Sequence, residues 1–265
     1  LVFLIIALIN VYIITKIKKI QRRVFVERDL GQTVKFYDTL LNSISHELRT
    51  PISIIVGATD SLLQQDQKIS DSNKNNLLQE ISTASLRLNQ QVENLLNTSR
   101  LQSGFLQLKK DWCDVNELIH IIISQLADQL KDHVVNIYIK EDLPLLKIDY
   151  VLIEQVLYNL INNAALYTPL HSVISITADH INEQLILIIE DNGKGFTKDE
   201  VDKVFNKFYR SKNSAIGGLG LGLSIVKGFV EVHNGIIELK KGASGGAKFI
   251  ITIPAENISL KTAAK

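Results

Sequence analysis

The 265-residue chain has no methionine and a single cysteine, Cys113. One cysteine excludes an intramolecular disulfide and fits a reducing, cytosolic compartment. With no methionine even at position 1, the sequence reads as a fragment of a longer chain. No group of His and Cys has the spacing of a metal site. Neither charge dominates, with 29 Lys+Arg against 28 Asp+Glu and a net charge of +1, which argues against nucleic acid as the main partner. Apolar residues make up 46% of the chain, enough for about two globular units.

The longest apolar run comes first, Leu1 to Ile14, followed at once by Lys16, Lys18, Lys19, Arg22 and Arg23. As helix, such a run spans about 21 Å of a hydrocarbon core about 30 Å thick. It therefore reads as the cytoplasmic end of a transmembrane helix (1–15), with the basic cluster marking the inside. A signal peptide would carry its charges before the run, and a buried core helix is the bland alternative. Residues 16–35 read as a juxtamembrane helical linker interrupted at Gly31, too short for a separate sensor domain. This predicts a membrane location, with the chain from about residue 16 onward in the cytoplasm.

Leu41, Ile44, Leu48, Ile52, Ile55 and Leu62 recur at three- and four-residue steps, with one step skipped at Thr59, as in the seam of a packed helix. In that phase His46 points away from the seam and is exposed. A neutral, exposed imidazole is a nucleophile near neutral pH, and Glu47 beside it can take a proton or fix the tautomer. Pro51 removes a backbone bond and is expected to bend the helix just past His46. The polar run Gln64 to Asn76 breaks the pattern, and a second seam follows through Leu78, Ile81, Ser85, Leu88, Val92, Leu95 and Ser99. Two such helices cannot bury both seams alone, so a homodimer forming a four-helix bundle is expected.

Beyond Gly104, Asp114 is a candidate N-cap for a helix reaching about Leu130. Strands follow at about Val134–Lys140 and Leu145–Asp149, then a helix from about Val151 to Tyr167. Asn159 and Asn163 share one face of that helix, where their carbonyl oxygens could hold Mg²⁺; an asparagine-rich helix face can equally be plain solvated surface. Strands Val173–Asp179 and Gln184–Glu190 turn at Asn182, and the second runs into Asp191-Asn192-Gly193-Lys194-Gly195. A carboxylate at a strand end, followed by two glycines, can accept from an exocyclic amine beside a flat ring, though the pattern alone is usually a tight turn. Phe205, Phe208 and Tyr209-Arg210 precede Gly217-Gly218-Leu219-Gly220-Leu221-Gly222, which opens a helix over Leu223–His233. Glycines at a helix entry let backbone N–H groups face an anion. No strand immediately precedes them and no acidic ribose-binding residue follows, so a dinucleotide-binding fold is excluded. A hairpin, Gly235–Lys240 with Lys248–Pro254, closes the chain.

Ser45-His46-Glu47-Leu48-Arg49-Thr50-Pro51 resembles the phosphoacceptor box of membrane-bound sensor histidine kinases of two-component systems. The downstream series, from Asn159/Asn163 through Asp191-x-Gly-x-Gly and the phenylalanines to Gly218-x-Gly220-x-Gly222, resembles the same family's ATP-binding boxes. The resemblance implies a dimerising helical hairpin over 36–104, an α/β-sandwich ATPase domain of the gyrase, chaperone and histidine-kinase type over 110–256, and a tail over 257–265. It implies ATP and Mg²⁺ as cofactors, and autophosphorylation of His46 followed by transfer to an aspartate of a response regulator receiver domain.

By the same resemblance Glu47 is the assisting acid/base, and Thr50 orients a water when such kinases run as phosphatases. Asn159 and Asn163 hold Mg²⁺ and phosphates, with Tyr167 beside them. Asp191 reads the adenine amine, flanked by Gly193 and Gly195, and Gly218, Leu219, Gly220, Leu221 and Gly222 form the hinge of the lid. Ser99-Arg-Leu-Gln-Ser-Gly104, Leu108-Lys-Lys-Asp-Trp112 and the short lid are similar to Kdp-type sensors. Leu166 departs from the pattern, because the family usually carries a basic residue there. The alternative is a nucleotide-binding dimeric scaffold with little kinase activity.

Overall fold

The computed structural model describes residues 44–63, 70–104, 106–211 and 218–258. The apolar run, the juxtamembrane linker, Leu41, Gly217 and the extreme C-terminus lie outside them. Among the described residues, no helix is long and apolar enough to cross a membrane.

The hairpin consists of α1 over 44–63 and α2, Asp71–Ser103. Helix α1 runs on through Pro51, whose missing N–H leaves the carbonyl of Glu47 without its helical donor. Helix α2 begins earlier than the apolar pattern suggests, at Asp71 rather than after Asn76. Ser70 caps it by accepting from Asn73 N–H at 3.3 Å, and Asp71 sits in the first turn where the helix dipole favours an anion. The polar start is therefore a well-capped, solvated helix end. Gly104 closes the helix in the left-handed region at φ 67°.

The C-terminal half contains β1 (Asp111–Cys113), α3 (Val115–Gln125), α4 (Ala127–Leu130), β2 (Val134–Ile139), β3 (Leu145–Ile148) and α5 (Tyr150–Tyr167). It continues through β4 (Val173–Ile181), β5 (Gln184–Asp191), α6 (Lys198–Val201), α7 (Gly222–Val232), β6 (Ile236–Lys241), β7 (Ala247–Pro254) and β8 (Asn257–Ile258). Five strands form one sheet in the order β2-β4-β5-β7-β6, with only β2 and β4 parallel. Alternate residues, such as Ile174, Ile176 and Ala178 on β4 and Leu185, Leu187 and Ile189 on β5, are buried in one core with α3, α5 and α7. Between β4 and β5, Asn182 and Glu183 both have positive φ, the geometry of a tight hairpin turn at the position expected.

One feature differs from the sequence reading. The helix capped by Asp114 does not run unbroken to Leu130: it stops at Gln125 and restarts as α4, an arrangement in which Leu126 and Leu130 are both buried. The strand Leu145–Ile148, expected as a strand, lies outside the large sheet. It pairs with β1 and β8 in a separate three-stranded sheet, whose outer strands are too short to leave a periodic signal.

The two halves touch along α2. Asn97 Nδ2 donates to Gln155 Oε1 of α5 at 2.7 Å. Gly228 of α7 lies against Leu101, and a Cβ there would come within 2.6 Å of Leu101 Cδ1, so any side chain at this position would displace Leu101 at the helix crossing. Further on, Lys109 N–H donates to Asp149 Oδ2 at 2.8 Å, while Asp149 Oδ1 caps α5 through Leu152 N–H.

Asp149 also donates its own N–H to Nε2 of the fully buried His233, whose Nδ1 lies 2.7 Å from Phe229 O. These partners fix a neutral ring protonated at Nδ1. Burial pushes the imidazole below its usual value. The unfolded chain takes up a proton below about pH 6.5 that the folded chain resists, so stability is present above that pH and falls below it, by at most about 1.4 kcal/mol per pH unit. Urea midpoints at pH 7.5 and 5.5 are expected to show this loss, and His233→Asn is expected to be less stable but with a shallower slope. An unchanged slope in the variant would refute the assignment.

Candidate active site

His46 is exposed on α1, as the heptad phase requires, beside an open depression lined by Arg49, Thr50, Ser53 and Ile54. Thr50 Oγ1 donates back to His46 O at 3.3 Å. The Glu47 side chain is only 12% exposed and lies between two guanidinium groups: Arg87 Nη2 of α2 at 3.8 Å and Arg210 Nη1 of the C-terminal half at 3.6 Å. Neither arginine was assigned a role from sequence, because nothing local ties 87 or 210 to 47. Only the fold brings the three together.

The second group of residues surrounds the start of α7. Asn159 Nδ2 donates to Gln155 O at 2.9 Å, which leaves its amide oxygen facing Gly222. That oxygen lies 3.3 Å from where a Cβ on Gly222 would sit, and Asn163 Nδ2 lies 4.0 Å from the same point. Both asparagines thus face the N-terminus of α7, which no side chain caps, so its orphan N–H groups and dipole are available to an anion. Gly220 has φ 65°, and a Cβ on it would come within 2.6 Å of Tyr209 O. Phe208 N–H donates to Gly220 O at 2.9 Å, fastening the aromatic segment to the glycine segment. Phe205 and Phe196 both stack edge-on against Phe249 of the sheet. Gly218 is half-buried, whereas Leu219 and Leu221 are buried core anchors, so only their backbone is available to a ligand. Tyr167 and Leu166 are exposed at the end of α5.

The third group is built on Asp191 at the end of β5. Its Oδ1 accepts from Gly193 N–H at 2.8 Å and from Ala247 N–H at 3.2 Å, while Oδ2 makes no hydrogen bond among the described residues. Burial, the largest influence, pushes the carboxyl above its usual value. Gly193 lies under Thr168, with a would-be Cβ 2.8 Å from Thr168 Cγ2, and Gly195, at φ 63°, lies against Gly245 O. The sequence shows Gly245 and Gly246 as no more than a hairpin turn, whereas Gly246 packs against Asp191 and the Gly245 carbonyl against Gly195.

A buried carboxylate with one free oxygen suits the amine of a flat base, and an uncapped helix N-terminus facing two amides suits phosphates. Residues 37–104 match the His Kinase A (phospho-acceptor) domain, and residues 148–257 match the histidine kinase-, DNA gyrase B- and HSP90-like ATPase family. The chain belongs to the sensor histidine kinases.

The chain is 32% identical over 237 residues to the sensor protein KdpD of Clostridium acetobutylicum, covering 88% of this chain and 26% of that protein. It is 36% identical over 220 residues to KdpD of Escherichia coli, covering 83% of this chain and 24% of that one. It therefore spans about a quarter of the length of these curated relatives. The histidine kinase AdeS of Acinetobacter baumannii superposes with a TM-score of 0.59 at 26% identity, covering 80% of this chain and 98% of that one. The fold is a phosphoacceptor helical hairpin followed by an α/β-sandwich ATPase domain that binds ATP.

Proposed function

We propose that this kinase autophosphorylates His46 from Mg-ATP and passes the phosphoryl group to an aspartate of a response regulator. The observation that carries the reading is the ion pair between Arg210 and Glu47, which joins the segment leading into the lid to the residue beside the acceptor. A neutral ring nitrogen of His46 attacks the γ-phosphorus, the N–P bond forms as the bond to the ADP oxygen breaks, and Glu47 takes the ring proton. Most of the rate comes from positioning. Asp191 Oδ2 accepts from the adenine amine, and the N-terminus of α7 holds phosphate oxygens. The amide oxygens of Asn159 and Asn163 suit Mg²⁺, a hard cation that would neutralise charge on the triphosphate; among the described residues no cluster of three or more His, Cys, Asp and Glu competes for a metal. Thr50, one turn past His46, supports a phosphatase reaction by orienting water.

Homodimerisation is supported by apolar residues left exposed at helical spacing, Ile52, Val56 and Leu63 on α1 with Leu78, Val92 and Leu96 on α2. Anchoring in a bacterial membrane is supported by the apolar run at 1–14 and the basic residues after it. The reading is tested by incubating the chain with ATP labelled at the γ position: protein-bound, acid-labile label is expected, and nucleotide binding with no label at all would favour a non-catalytic scaffold.

Leu166 lies three residues past Asn163 on the same side of α5, and no basic residue occupies the last turn of that helix. Leu166→Lys is expected to tighten ATP binding about two- to fivefold, through a charge near the phosphates at partial exposure. An unchanged or weaker affinity by calorimetry would show that the position does not face the triphosphate.

A further inference from the structure

Glu190 precedes Asp191 on β5 and, by the period of a strand, points to the opposite face. Its two oxygens are divided between two tasks. Oε1 accepts from Ala243 N–H at 2.9 Å, and Oε2 pairs with Lys248 Nζ at 3.0 Å. The hydrogen bond from Lys248 is the largest influence holding this carboxyl below its usual value. Ala243 belongs to the turn between β6 and β7, which closes on itself through Gly242 N–H to Gly246 O at 2.8 Å and Gly245 N–H to Gly242 O at 3.0 Å. The far end of that turn presents Ala247 N–H to Asp191 Oδ1.

The same turn is pressed into place with no room to spare. A Cβ on Gly242 would come within 2.9 Å of Glu190 Oε1, and one on Gly246 would collide with the backbone oxygen of Asp191. The turn is thus gripped from one face of β5 by Glu190 and used from the other by Asp191. Two adjacent residues with opposite directions serve one site.

The geometry points to Glu190 as a positioning residue for nucleotide recognition: it fixes the Gly242–Gly246 turn so that Ala247 N–H holds Asp191 Oδ1 and aims Oδ2 at the base. This rests on the reading of Asp191 as the acceptor of the adenine amine. Lys248 completes the device by holding the other Glu190 oxygen. With the turn released, Asp191 loses one of the two donors that orient it, and the cost falls on the base contact rather than on the phosphates.

The test is calorimetric titration of the chain with ADP and with inosine diphosphate, which lacks the exocyclic amine. Glu190→Ala is expected to weaken ADP about tenfold while changing inosine diphosphate by less than about twofold. Glu190→Gln keeps an acceptor for Ala243 N–H and is expected to recover most of the ADP affinity. Equal losses for both nucleotides in Glu190→Ala would show a general structural role and overturn the proposal, as would unchanged ADP binding. Asp191→Asn is the control for the underlying reading. If it abolishes the preference for ADP and Glu190→Ala does not, this proposal alone fails; if Asp191→Asn leaves the preference intact, the assignment of Asp191 fails first.

Discussion

Replacing His46 by Gln is expected to leave nucleotide affinity within about twofold of the parent and stability within about 0.5 kcal/mol, while removing all acid-labile protein phosphate. The side chain is exposed, and its substitution leaves no cavity. Its neighbour Glu47 remains held by Arg87 and Arg210. The other five histidines are placed differently: His233 is buried with both nitrogens engaged, both His133 nitrogens are buried, and His120 and His180 each have a ring nitrogen against a backbone oxygen. His171 is exposed but sits in a loop at positive φ, on the far side of α5 in the sequence from the acceptor helix. Persistent acid-labile label in the variant would mean that another imidazole is the acceptor.

Asp191→Asn should have the second largest effect, with a loss of adenine nucleotide affinity of about 100-fold, or about 2 to 3 kcal/mol. The asparagine oxygen can still accept from Gly193 and Ala247, but its NH₂ then faces the adenine amine, donor against donor. Stability should move the other way. A carboxyl whose folded pKa lies above its unfolded value contributes stability below the unfolded pKa and loses it as pH rises through the folded one, so at pH 7 the ionised Asp191 is a cost to the fold. The variant without nucleotide is therefore expected to melt no lower than the parent. A melting point several degrees lower, with affinity unchanged, would show that Asp191 is structural. The raised pKa also predicts that ADP affinity of the parent declines on acidification at a higher pH than an ordinary aspartate would give.

Much of the candidate site was legible in the sequence because its residues are local. His46 and Glu47 are adjacent, Asn159 and Asn163 lie one helical turn apart, and Asp191, Gly193 and Gly195 are consecutive parts of one turn. The caps at Asp114 and Gly104 carry their own signals and appear where expected. The harder features depend on residues far apart in the chain. Arg87 and Arg210 meet only at Glu47, and the turn that orients Asp191 arrives from more than fifty residues away. The three-stranded sheet joins β1, β3 and β8, and a two-residue strand has no period to read. Leu219 and Leu221 look like part of a nucleotide loop because they alternate with glycine, yet that alternation sends their side chains into the core. The start of α2 was hidden because its first turns bury nothing, so apolar periodicity was silent there and only the Ser70 cap marked it.

The central claim is that the ATPase domain transfers a phosphoryl group to one named nitrogen base. The most direct measurement is to incubate the chain with Mg-ATP, digest it under alkaline conditions that spare phosphoramidates, and locate the phosphate by fragmentation mass spectrometry. The account predicts a single modified site, His46, with phosphate lost in mild acid. Phosphate on a serine or threonine, on a different histidine, or ATP consumed with no phosphorylated residue at all would contradict it.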